Sequence, residues 1–249
     1  MLFVELEVLY QLSGLLGLLA VLIAWIYGAI SLIKYIHTKE KLLFYFFLAV
    51  IFTISPWYPS GLGYIYWLIT RQEIAYPVYV LIGTIGVPIA LLSWLQIYMS
   101  MLHSKYKNHM IIITIGISIA FFIYLFYFLF FASGAPVDAL IGTKDSPIDI
   151  SYKGFVLGFL GFSLVVSTIT GNDFSIASLK VRDNPEIPWK GRFLIISFNL
   201  YAIGALGDGF LPLAPVTLII FRTLMMLSST FYYIGFILPN WVKRFLKLE

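Results

Sequence analysis

One arginine, Arg222, stands inside the apolar run TLIIFRTLMML, Thr217 to Leu227. Its guanidinium stays charged and offers five N–H donors in a planar fork, so it suits an anionic or carbonyl partner rather than a proton relay. If this run crosses a bilayer, the charge lies about 15 Å below Pro212, close to the midplane. Placing it there costs about 2.5–3.5 kcal/mol on insertion scales. It must therefore face the bundle interior, meet water, or snorkel along a tilted helix. Three roles stay open: a structural hydrogen-bond hub, a site for an anion or carboxylate ligand, and a snorkelling residue. Asn199 is the expected polar neighbour and completes a candidate ligand-binding or structural hub. Ser197, Thr168, Ser118, Ser228 and Ser229 are weaker candidates. No acid is expected at the same depth. Asp208 is placed at the outer end of the sixth span, as an outer acidic site, and Asp173 at the far end of the fifth.

Other chemistry finds little support. Every lysine falls in a connection, the tail or a helix end, which argues against a buried Schiff base and so against a light-driven retinal pump. His37, His103 and His109 sit at one boundary without HExxH or HxxxH spacing, and are expected to belong to basic interfacial loops, with an approach close enough to bind a metal as the alternative. The chain has no cysteine, which removes disulfides, thiolate nucleophiles and cysteine-held metals. There is no Ser–His–Asp set, internal carboxylate pair, phosphate-binding loop or dinucleotide fingerprint. No catalytic residue, metal or cofactor is assigned, and enzymatic activity has no motif behind it. The basic residues are scattered over separate loops, so nucleic acid is not an expected partner.

The elements that must position Arg222 follow from composition. Of 249 residues, 61% are hydrophobic and 11% charged, against about 25% charged in soluble domains. There is too little polar material to cover a soluble core. An all-α, polytopic seven-helix bundle forming a single domain over 1–249 is expected, located in the cell membrane. A spanning helix needs about 20 mostly apolar residues, and seven segments meet or approach that: 9–35, 41–58, 76–102, 110–131, 152–172, 192–210 and 213–238. Pro56 and Pro59 in SPWYPSGLG limit the second helix. Trp57 and Tyr58 are therefore expected at the membrane interface, with Leu62 to Thr70 near the outer surface; a kink at Pro56 with a continuing helix is the alternative. Pro88 is expected to bend the third span.

Charge gives the orientation. Of the 16 Lys and Arg, all but Arg71, Lys144, Lys153 and Arg222 fall in alternate connections and the tail. The positive-inside rule then puts the N-terminus outside and the C-terminus in the cytoplasm. Glu5, Glu7, Glu73, Asp138, Asp145, Asp149 and Asp208 make the outside acidic. The longest outer connection, SGAPVDALIGTKDSPIDI, is expected to face solvent, with folding over the bundle as a lid as the alternative. The glycines of GFVLG, Gly154 to Gly158, with Gly161, and those at Gly14, Gly17, Gly83 and Gly86, are expected to pack helices within the bundle. Homo-oligomerisation through such a face is the alternative.

The closing segment SSTFYYIGFILPNWVKRFL passes through Gly235 and the Leu238–Pro239 pair to Trp241 and a basic exit at Lys243 and Arg244. With the topology, it resembles the seven-helix membrane module of prokaryotic, especially archaeal, histidine-kinase-type receptors. The resemblance implies a sensor-like or signalling membrane protein that transmits through its seventh helix. Such modules precede an output domain, whereas this sequence closes at Glu249. The expected output is therefore supplied by a cytoplasmic or membrane protein partner or by the loops. A small-molecule transporter, or a lipid-binding or assembly subunit of a membrane complex, are the alternatives. Membrane lipids are expected contacts throughout.

Overall fold

A computed structural model describes residues 6–211 and 214–248. Glu5, Pro212 and Leu213, where the seventh span was expected to open, lie outside the described residues. Among the described residues, seven helical segments are long and apolar enough to cross a membrane: Val8–Thr38, Lys41–Thr70, Tyr76–Leu102, Ser104–Phe131, Gly154–Leu179, Glu186–Phe210 and Pro215–Ile237. The protein is a multi-pass, all-α membrane bundle with one small hairpin in a connection.

Helix α1 (Val8–Thr38) buries Ser13, Gly14, Gly17, Ala20, Val21, Ala24, Gly28 and Ser31. Steps of one, three and four residues keep these small side chains on one face. Its larger residues, including Leu15, Leu22, Trp25 and Ile26, point outward. Small residues inside and large apolar ones outside is the arrangement lipid favours, because lipid rewards close backbone approach rather than removal of apolar surface from water.

The second segment does not stop at Pro56. Helix α2 (Lys41–Thr53) passes through a 3₁₀ turn, Ser55–Trp57, into α3 (Tyr58–Thr70). Pro59 sits in the first turn of α3, where its missing N–H is no loss. Carbonyls loosened by the break are met by side chains: Tyr58 Oη donates to Ile51 O at 2.6 Å and Tyr201 Oη to Thr53 O at 2.8 Å. The expectation that Trp57 and Tyr58 face the interface is corrected here. Both are buried inside the bundle, because the 3₁₀ turn re-phases the helix and swings them inward.

Helices α4 (Tyr76–Thr84) and α5 (Gly86–Leu102) form the third segment, interrupted at Ile85, with Pro88 buried in the first turn of α5. Helix α6 (Lys107–Phe126) ends in a π-turn, Tyr127–Phe131, and the short α7 (Val137–Leu140) follows. The connection then folds as an antiparallel hairpin, β1 (Gly142–Ser146) with β2 (Asp149–Tyr152). Its first part faces solvent, with Ser133, Gly134, Pro136, Asp138 and Ala139 exposed, whereas the hairpin folds over the bundle. Ile141 packs with Val80, Phe121 and Phe159, and Ile148 with Leu6 and Trp67. The hairpin thus covers one end of the bundle, called below the hairpin end.

Helices α8 (Gly154–Leu179), α9 (Glu186–Phe210) and α10 (Pro215–Ile237) follow, with α9 and α10 the most extensive helix pair. Pro215 is the first residue of α10. Leu238 then takes a left-handed conformation at φ 47° and Pro239 turns the chain into α11 (Asn240–Phe245) at the tail end. The glycine expectation divides. A Cβ at Gly14, Gly83 or Gly86 would collide with a neighbouring side chain, so those positions do pack helices. A Cβ on Gly158 or Gly161 meets nothing within 4 Å; these two do not mediate contact inside the bundle, because that part of α8 has open space beside it.

Candidate ligand site

Arg222 lies on the seventh helix and is 2% exposed, so it faces the interior rather than lipid. Its Nε is 3.3 Å from Asp208 Oδ1. Its Nη1 donates to the Ser13 carbonyl and to Ser60 Oγ at 3.3 Å. Trp57 Nε1 donates to the other carboxylate oxygen of Asp208 at 2.6 Å. Among the described residues, no group hydrogen-bonds Nη2. Four elements meet here: α1, the Pro-interrupted segment before and into α3, α9 and α10.

Depth counted along the chain missed the Asp208 pair for a geometric reason. Side chains on a helix lean toward its N-terminus. Helix α10 starts at the hairpin end, so Arg222 leans toward that end. Helix α9 finishes there, so Asp208 leans away from it, down toward Arg222. Arg222 is seven residues into α10 and Asp208 two from the end of α9. At 1.5 Å per residue their Cα depths differ by roughly 7–8 Å, which two side chains leaning together can close.

Asn199 is not brought to Arg222. It is exposed, and its Nδ2 donates to Asn172 Oδ1 and Ile195 O, both at 2.8 Å. Nine residues separate it from Asp208, two and a half turns at 3.6 residues per turn, so the two occupy opposite faces of α9. Ser197 and Ser228 meet each other instead. Each hydroxyl donates to the other residue's carbonyl at 2.9 Å, clasping α9 to α10.

A cavity of about 610 Å³ adjoins this network. It reaches from Asp145, Phe210 and Leu211 at the hairpin end to Trp94, Ser229 and Tyr232 deep in the bundle. Arg222, Asp208 and Ser60 line it, as do Asp149 and Tyr152 of the hairpin. Its size falls within the range of small-molecule sites, about 300–1,000 Å³. Trp94, Phe174, Phe198 and Tyr232 pack edge-on and tilted around its deep end. That aromatic floor separates the cavity from the tail.

The sequence places Asp149 only among the outer acids, because a loop acid is normally solvated. Here the buried Ile148 next to it pins the hairpin down and directs Asp149 inward. Its Oδ1 accepts from its neighbour's amide, Ile150 N, at 3.1 Å, and its Oδ2 accepts from Ser13 Oγ at 3.4 Å. Burial pushes its carboxyl up to about 6; the Arg222 guanidinium opposes that rise, while Asp208 and Asp145 add to it. A carboxyl raised in the folded state binds protons that the unfolded chain has already released, so stability falls as pH climbs from about 4 to about 6. Asp149→Asn is expected to remove this slope. The unfolding midpoint in detergent at pH 4.5 and pH 7 checks it: the wild type should lose more between the two than the variant.

At the other end, Tyr98 Oη donates to Asp173 Oδ2 at 2.8 Å, and His103 Nε2 lies 3.7 Å from the same atom. Among the described residues, no three His, Asp or Glu side chains come together as metal ligands. No protein-family model matches the chain, and no curated protein matches it.

Proposed function

We propose that this protein is a ligand-sensing membrane module, in which the hairpin end receives a small molecule and α10 carries the response to the tail. The observation that carries this reading is the cavity beside Arg222, which brings a charged network and an aromatic floor into one space of ligand size. Helix α10 supplies both Arg222 and Tyr232 to it and leads through Leu238 to α11. A ligand that shifts Arg222 would act on the same helix that leaves the bundle. The likeness of the closing segment to histidine-kinase-type sensor modules supports signalling through that exit. The charge bias of the connections supports an outward-facing hairpin end and a cytoplasmic tail. With that orientation the ligand arrives from outside, and the response leaves the bundle at the tail.

Purification in mild detergent from native membranes, followed by native mass spectrometry, tests the proposal. A retained small molecule, together with a protein partner in fixed stoichiometry, is the expected result. Saturable uptake of that molecule into liposomes carrying the purified protein alone would replace sensing with transport.

A further inference from the structure

We propose that the cavity takes an organic monocation, a protonated amine on an apolar or aromatic body, with the ammonium group at Asp149. This rests on the cavity being a ligand site and adds the charge of what fills it.

The charges around the cavity do not balance. Arg222 and Asp208 pair at 3.3 Å and neutralise one another. Asp149 makes no ion pair among the described residues; its contacts are the Ile150 amide and the Ser13 hydroxyl. Asp145, at the mouth, adds a second negative charge. The nearby lysines are engaged elsewhere: Lys144 Nζ with Glu73 at 2.7 Å, and Lys153 Nζ with the Thr143 hydroxyl at 2.8 Å. An anion entering this space would meet surplus carboxylate. A zwitterion would leave the surplus uncorrected, whereas a single positive charge balances Asp149 and leaves the exposed Asp145 to solvent at the mouth.

The walls suit that charge as well. Trp57 and Trp94 line the cavity, and indole faces attract cations most strongly among the aromatic side chains. A separate observation points to a missing partner. The Ser163 hydroxyl, on a residue 6% exposed, and the Tyr152 hydroxyl are both buried without a hydrogen-bond partner among the described residues, and both residues line the cavity. A buried polar group left unpaired is costly, so such groups mark places where a ligand or water completes the bonding. Each hydroxyl presents lone pairs to an N–H donor. Burial raises the Asp149 carboxyl, with Asp208 and Asp145 adding to the rise and Arg222 opposing it, so a cation placed beside it would favour its ionised form.

Three probes with one ring system and different charge test this: tryptamine, the neutral alcohol tryptophol, and indole-3-acetate. Each is titrated calorimetrically into the full-length protein in mild detergent at pH 7.5. Tryptamine is expected to bind at least about tenfold more tightly than either of the others, the size of one charge-assisted hydrogen bond. Asp149→Asn should cut tryptamine binding by about tenfold or more and leave tryptophol nearly unchanged. Asp149→Glu keeps the charge and should keep the preference for the amine, and unfolding midpoints confirm that both variants fold. Equal affinities, a preference for indole-3-acetate, no binding of tryptamine, or an undiminished tryptamine affinity in Asp149→Asn would overturn the assignment. Binding of tryptophol or indole-3-acetate that Ser163→Leu abolishes would keep the cavity as a ligand site while removing the cation. Failure of all three probes, with no molecule retained in native mass spectrometry, would remove both.

Discussion

Arg222→Leu is expected to cost about 3–5 kcal/mol of stability, the loss that follows when one partner of a buried ion pair is removed. The side chains of Arg222 and Asp208 are 2% and 10% exposed, so both charges are largely withdrawn from solvent. Leucine would leave the Asp208 carboxyl with Trp57 Nε1 as its one remaining hydrogen bond among the described residues, and the Ser13 carbonyl would lose its side-chain donor. The double replacement Arg222→Leu with Asp208→Leu should recover more than half of that loss. Exchanging a buried ion pair for apolar side chains is often neutral or better, whereas halving it is not. The measurement is the unfolding midpoint in detergent for both single variants and the double variant, read as a cycle. A midpoint for Arg222→Leu equal to the wild type would show that the pair holds nothing together. Recovery in the double variant that also abolishes ligand binding would separate the stabilising part of the network from its recognition part.

Gly61→Ala is expected to destabilise by about 1–3 kcal/mol, the usual cost of forcing atoms into a filled space. A Cβ at Gly61 would lie 2.8 Å from Leu18 N and 2.9 Å from Leu18 Cα. Those are backbone atoms of α1, and they cannot swing aside as a side chain would. The intrinsic gain of alanine over glycine in a helix is at most about 1 kcal/mol, so the clash wins. Gly158→Ala supplies the contrast. A Cβ there meets nothing within 4 Å, so the propensity gain stands alone and the variant should be neutral or slightly stabilised. Opposite signs for one substitution at two glycines, read from the same unfolding measurement, would establish that the α1–α3 contact is the demanding one. If both variants behave alike, backbone proximity is not what Gly61 supplies. The effect reaches the ligand site, because Ser60 beside Gly61 and Ser13 on α1 are both partners of Arg222 Nη1. Moving α3 away from α1 opens the guanidinium cradle.

The membrane class and the seven apolar segments were legible in composition and in the length of the apolar runs, since lipid imposes both directly. The placement of Arg222 as the residue demanding an explanation came from the same logic. Its partners did not. Asn199 looked suitable because it is polar and deep, but depth is one coordinate and helical phase is another. Without the α9–α10 contact face, phase has no reference. Asp208 was assigned to the surface because Cα depth ignores the lean of side chains along antiparallel helices. Trp57 and Tyr58 resembled interfacial anchors because paired prolines normally end a helix, and a 3₁₀ turn that re-phases it leaves no separate mark in sequence. Asp149 depends on contacts between the hairpin and helices distant in sequence, which no local window contains.

The pairing of Asp208 with Arg222 across fourteen positions has a consequence for biogenesis. A segment carrying an isolated arginine is a poor candidate for independent entry into lipid. The α9–α10 pair presents that arginine already neutralised by its own neighbour, with the Ser197–Ser228 clasp beneath it and Lys243 bound to Glu186 at 2.7 Å at the far end. Partitioning should therefore proceed by the two helices leaving the translocon as one hairpin, with Arg222 masked before α1 and α3 close around it.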